Sequence, residues 1–171
     1  MQKDDIYERV EHLVRKYKTR NPLELLECMK AVVMETDRYE RLKGYCFLSC
    51  QTYYVMISSF LPEPEKKIVA AHELGHIVLH KQELKMAPMK DSVLDDMTSR
   101  TEYEANLFAA DTLIRDNEVE ILSKDPDLNY FSMCSSLDVS PELMSFKLYS
   151  LVRRGYSYNM PMEIDSRFLA K

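Results

Sequence analysis

Apolar positions recur with helical spacing at both ends of the chain and with strand-like density between them. Ile6, Val10, Leu13, Val14 and Tyr17 fall on one side of a helix over residues 4–18, an amphipathic stripe that needs a core to cover it. His12 lies beside that stripe and reads as a surface residue. Asn21-Pro22-x-Glu24 opens a second helix, with Asn as cap, Pro at the first position and Glu closing a capping box; it runs to about residues 28–30. The texture then becomes β-branched and aromatic. Segments 31–36, 45–49 and 53–58 predict three strands, with turns at Gly44 and Gln51-Thr52, in a small, mostly antiparallel sheet. Leu61-Pro62-Glu63-Pro64 ends the last strand and leads into a helix over residues 65–81. From Ile68 onward that helix is apolar on every side, which places it in the interior. Polar residues 82–97, with Pro88, predict a loop over or beside it. Another helix starts near residues 98–101 and runs to about 115. After the Asp125-Pro126-Asp127 break come two shorter helices, at 130–137 and 141–153; Ser140-Pro141 starts the second and Gly155 stops it.

Composition narrows the classes. The chain has 171 residues, 46% of them hydrophobic, enough for one real core with at most a small appendage. Residues 1–125 are expected to form the core with its N-terminal helices, and residues 126–171 a C-terminal helical appendage. The net charge of -5 and the lack of a basic block argue against direct nucleic-acid binding. No apolar run reaches the roughly 20 residues of a membrane span, and the charged N-terminus lacks a signal-peptide pattern, so the expected location is cytoplasmic. Cys28, Cys46, Cys50 and Cys134 form no C-x-x-C pair and are read as free, mostly buried thiols. Three glycines predict few tight hairpins.

Within the apolar helix stands His72-Glu73-Leu74-Gly75-His76. A helix turns about 100° per residue, so His72 and His76 lie one above the other and can share a metal ion, with Glu73 beside them. Buried imidazoles and a carboxylate need partners, and an ion supplies one. Catalytic zinc usually takes three protein ligands, so a third is required. The spacing H-E-x-x-H-x-x-G-x-x-H fails here, because positions 79 and 82 are Leu and Gln. His80 is another turn along the same straight helix, which diverges too far for three ligands; it is expected to hydrogen-bond nearby instead. The following helix offers Glu102 and Glu104. Glu102 shares a face with Asn106, Ala109 and Leu113; Glu104 shares one with Phe108, Asp111 and Arg115, which the sequence turns toward solvent. Glu102 is therefore the preferred ligand, and Asn106 is placed to hold a ligand histidine by its free ring N–H. Ser99-x-x-Glu102 and Thr101-x-x-Glu104 both match a capping box, so one of these Glu residues can serve as a cap; the second box leaves Glu102 free for the metal. Asp95, Asp96 and Asp111 are further carboxylates without a supporting pattern. Ligand type indicates zinc.

His72-Glu-Leu-Gly-His-Ile-Val-Leu-His80 followed by Glu102-x-x-Ala-Asn-x-Phe-Ala-Ala110 resembles the ImmA/IrrE-type metallo-endopeptidases, over roughly residues 20–155. The resemblance implies an α+β, helix-rich, zincin-like fold with an HExxH helix, a Glu-ligand helix and C-terminal helices. It also implies a bacterial zinc protease, linked to mobile elements or stress regulons, that cleaves a helix-turn-helix repressor. The family's Pro soon after the Phe-Ala-Ala helix is missing from Leu113-Ile114-Arg115-Asp116, which leaves the path of the chain there open. In the expected mechanism Zn2+ held by His72, His76 and Glu102 activates water, and Glu73 carries its proton to the leaving amine. Tyr103, or the Tyr53/Tyr54 pair, is a candidate donor to the developing oxyanion. The strand at 53–58 is a candidate edge for an extended substrate. The rival reading is a non-proteolytic regulator. It would bind a repressor or DNA through residues 130–153, which have a helix-turn-helix outline, and keep a structural metal.

Overall fold

A computed structural model describes residues 4–38, 42–86 and 99–159. In chain order the elements are α1 (Asp4–Tyr17), α2 (Pro22–Cys28), β1 (Val32–Thr36), β2 (Gly44–Ser49), β3 (Thr52–Ser58), α3 (Glu63–Leu79), α4 (Lys81–Met86), α5 (Ser99–Leu113), α6 (Asp116–Ser123), α7 (Tyr130–Ser136) and α8 (Pro141–Arg153). The architecture is the expected helix-rich α+β fold. Asn21 caps α2 by accepting a hydrogen bond from the Leu23 N–H, with Pro22 at the first position. Ser140 caps α8 in the same way through the Leu143 N–H, and Gly155 leaves it with φ +97°.

The sheet is mixed rather than mostly antiparallel. Its order is β1-β3-β2, with β1 parallel to β3 and β2 antiparallel to it. Local turn chemistry fixes only the β2–β3 hairpin; the direction of β1 is set by long-range pairing. Strand β3 is therefore central, not an edge, and β2 is the edge whose start contacts α3. The hairpin turns at Cys50-Gln51, one residue before the expected position, with Ser49 paired to Thr52. Both turn residues have positive φ, 46° and 62°, as a type I′ turn requires. Neither residue type favours that conformation. Cys50→Asn with Gln51→Gly should stabilise the fold by about 1 kcal/mol, read as a raised urea midpoint; an unchanged midpoint would contradict the turn assignment.

One face of the sheet covers α3. Cys46, Val55 and Ile57 are buried in the core with Ile68, Val69 and Leu74 of that helix. The alternate positions Val32, Met34, Tyr45, Phe47, Tyr54 and Met56 share the opposite face, where Phe47 and Tyr54 stack with ring centroids 5.1 Å apart. Helix α3 crosses the centre of the molecule, and every residue from Ile68 to Ile77 is buried. Helix α5 packs against it and is buried without a break from Glu104 to Thr112. The face of α5 bearing Glu104, Phe108 and Asp111 is thus interior, not solvent-facing: α1, α3 and α8 all pack on this helix.

Two helices fall outside the expected pattern. Helix α4 occupies the start of the expected 82–97 loop; the loop from residue 87 on lies outside the described residues. Helix α6 follows α5 almost directly. Arg115 takes an extended conformation, and its N–H donates to Glu118, so the turn closes without the family's proline. Helices α7 and α8 pack through α8 onto α5. Among the described residues no helix is long and apolar enough to cross a membrane.

Candidate metal centre

The crossing of α3 and α5 brings three donor groups together. His72 Nε2 lies 3.0 Å from His76 Nε2 and 3.2 Å from one carboxylate oxygen of Glu102; His76 Nε2 lies 3.3 Å from the other. One turn of helix separates the histidines, and Glu102 enters from the first turn of α5. The approach is close because Gly75 faces α5. A Cβ there would lie 3.1 Å from Ala105 Cα and 3.2 Å from both the Ala105 carbonyl oxygen and Phe108 Cβ. Gly75→Ala should gain about 1 kcal/mol of helix propensity and lose about 1–3 kcal/mol to overpacking against backbone. The expected net result is a less stable protein in urea unfolding. A variant more stable than the parent would show that α5 can move away freely.

The remaining ring nitrogens are occupied. His72 Nδ1 lies 2.7 Å from Asn106 Oδ1, and His76 Nδ1 lies 3.1 Å from His80 Nδ1. Both contacts leave the Nε2 atoms turned toward Glu102. Burial opposes ionisation of Glu102, but hydrogen bonds from His72 and His76 outweigh it and hold the carboxyl well below the usual range. The two rings respond in opposite directions. Burial works to lower both, yet the hydrogen bond to Glu102 and the charges of Glu73 and Glu102 raise His72. His76 falls to about 4, chiefly through burial and further through the charges of His72 and His80, against the opposing pull of Glu102.

Glu73 is 5% exposed and points toward β2. Burial pushes its carboxyl up to about 7, against the opposing pull of His72 and a hydrogen bond from Cys46. The Cys46 thiol also lies 3.8 Å from the Glu73 carbonyl oxygen. Gly44 is not a turn residue but the start of β2. A Cβ on it would meet Val69 Cγ1 at 2.4 Å and approach the Glu73 carboxylate to 3.6 Å. No local pattern marks Gly44 and Cys46, since their contacts with α3 reach across more than one element.

The other expected residues fall as follows. Tyr103 is not brought to the cluster. It packs on α8, with ring centroids 5.5 Å from Phe146 and 5.8 Å from Tyr149, and its hydroxyl bonds to Tyr149. One residue of helix, about 100°, separates it from Glu102. Tyr54 stacks on the outer sheet face, and Tyr53 packs against the core. His80 is buried and bonded to Glu104, and His12 is exposed. Asp111 is taken by Lys147 and Ser150. Asp95 and Asp96 lie outside the described residues. Cys28 and Cys50 are exposed, Cys46 and Cys134 buried, and all four are free.

Two buried imidazoles and a carboxylate, with all donor atoms within 4.8 Å of one another, suit a metal ion. Residues 27–149 match the family described as Peptidase_M78, IrrE N-terminal-like domain. The chain belongs to this family. Its members are metallopeptidases by type, and the matched span of this Peptidase_M78 chain holds the whole α3–α5 crossing. The chain is also similar to "Uncharacterized immunity region protein 2" of Bacillus phage phi105, 34% identical over 107 residues. That match covers 63% of this chain and 66% of the phage protein, just short of two thirds of its length.

Proposed function

We propose that this chain is a zinc-dependent endopeptidase that cleaves a helix-turn-helix transcriptional repressor and so relieves repression of a mobile element. The observation that carries the reading is the convergence of His72 Nε2, His76 Nε2 and the Glu102 carboxylate at the buried crossing of α3 and α5. Ligand atoms about 2.0–2.2 Å from a tetrahedral zinc stand roughly 3.4 Å apart, and the three donors are 3.0–3.3 Å apart. Two nitrogens and one oxygen also leave a position for solvent, as a catalytic rather than a structural zinc requires. Bound there, the ion supplies Lewis acidity toward the scissile carbonyl and the attacking water.

The protein's own groups do the rest. Glu73 takes a proton from the water and returns it to the departing amine. A carboxylate one residue from His72 can do both in turn. Asn106 holds the His72 ring by its far nitrogen. The substrate in extended form pairs with the edge of β2, which has no partner strand on its outer side among the described residues and runs past Glu73, because β3 is enclosed between its neighbours.

The repressor as substrate draws support from the phage relative, whose name places it in an immunity region. A regulator that grips DNA through α8 is disfavoured. Lys147, which a phosphate-tracking face would need, is fully buried against Asp111 and Asp116, and Arg154 is bound to Asp116. The test is co-expression with a helix-turn-helix repressor encoded in a neighbouring gene, followed by digestion with purified components. Discrete repressor fragments should form, and 1,10-phenanthroline should stop their formation. An intact repressor in the presence of zinc-loaded protein overturns the reading.

A further inference from the structure

His80 and Glu104 lie outside the donor cluster, yet both are buried and joined to it. His76 Nδ1 faces His80 Nδ1 at 3.1 Å, His80 Nε2 faces a Glu104 carboxylate oxygen at 3.1 Å, and Arg100 Nε donates to the other oxygen at 3.1 Å. Two ring nitrogens facing each other need one donor and one acceptor. If His80 carried its proton on Nδ1, its bare Nε2 would face a carboxylate oxygen, two acceptors in contact in a buried site. His76 would then be protonated on Nε2, and its N–H would point at the place where a ligand lone pair is needed. The opposite arrangement satisfies the outer chain, and with the proposed ion bound it leaves the inner acceptors as ligands. Glu104 accepts from His80 Nε2–H, His80 Nδ1 accepts from His76 Nδ1–H, and His76 Nε2 is left bare toward Glu102 and His72.

From this geometry we infer that Glu104 is a positioning residue: through His80 it selects the tautomer and fixes the ring of His76. His72 reaches the same state in one step, through Asn106. The two histidines are thus set by different devices, an amide for one and a histidine–carboxylate pair for the other. Arg100, 69% exposed, ties the far end of the longer chain to the surface of α5. Glu102 and Glu104 divide the work, one facing the cluster and the other facing its support.

This inference rests on the metal site proposed above, and its test separates the two. Zinc affinity is measured by chelator competition for the parent, Glu104→Leu and Glu104→Gln. The Leu variant, which offers no acceptor, should lose about 10- to 100-fold in affinity. The Gln variant keeps an acceptor oxygen, as Asn106 does for His72, and should stay within a few-fold of the parent. Long-range 15N–1H correlation spectra of the 15N-histidine-labelled parent need no variant to fold. They should show His80 protonated on Nε2 and bare on Nδ1, and His76 protonated on Nδ1 in the zinc-loaded protein. Equal zinc affinity in the parent and Glu104→Leu, or His80 protonated on Nδ1, overturns the positioning role. A parent that binds no zinc overturns the metal site instead.

Discussion

Replacing Glu73 with Gln should lower repressor cleavage by about a hundred- to ten-thousand-fold while leaving the zinc content unchanged. Gln has nearly the same shape, so the packing among Gly44, Cys46 and Val69 survives, but it cannot take a proton. The folded protein should not suffer. A carboxyl pushed up to about 7 by burial is one the fold tolerates at some expense, and an amide removes that expense. Metal analysis and a timed digest of the repressor check both halves. Cleavage at the parent's rate would sink the role of Glu73 as base. His72→Ala should behave differently, losing the metal along with activity, so the pair separates proton transfer from metal retention.

Removing Lys147 should cost about 3–5 kcal/mol of stability, against a total of about 5–15 kcal/mol for a domain of ordinary stability. Its ammonium is fully buried, 2.9 Å from Asp111 and 2.6 Å from Asp116. Asp111 is 1% exposed. Arg154 completes the cluster on Asp116 and lies 3.6 Å from the centroid of the Tyr7 ring, which joins α1 to α8. Lys147→Met removes the close cation and leaves the Asp111 carboxylate with the Ser150 hydroxyl and Arg154 at 4.0 Å. Adding Asp111→Asn removes that charge and should recover more than half of the loss. Urea unfolding of the two variants decides the matter, and a loss below about 1 kcal/mol in Lys147→Met would contradict a buried pair. The cluster also sets an acid limit. Burial works against the Asp116 charge, but Arg154 and Lys147 outweigh it and depress the carboxyl. Its stabilising contribution is therefore complete above the unfolded value near about 4 and fades as pH falls toward the lower folded value. The stability gap between the parent and Asp116→Asn should narrow below about pH 4.

The helix bearing His72, Glu73 and His76 was legible because its apolar surround and its spacing are both local properties. Glu102 and Asn106 were legible for the same reason, as neighbours on one face of a periodic segment. Glu104 was misread. Its face of α5 carries Asp111 and ends at Arg115, which suggests solvent, but the ionic partners of Asp111 come from α8, 36 residues on. Lys147 is buried for the same reason, since its partners Asp111 and Asp116 come from other elements. The order and direction of the strands, and the contacts of Gly44 and Cys46 behind Glu73, depend on pairings between distant segments. Helices α4 and α6 are short and polar, with little periodicity to reveal them. Tyr103 stands next to Glu102 in the sequence, but one helical step turns it toward α8.

The uninterrupted burial of α3 bears on how the molecule moves. Amide protons of Ile68–Ile77 have no solvent-facing turn from which a local opening could start. Their exchange with deuterium should require unfolding of the whole core and be among the slowest in the chain. The histidine pair therefore rides on a segment that does not breathe on its own. Any motion that admits or releases a polypeptide must occur around α3, not within it.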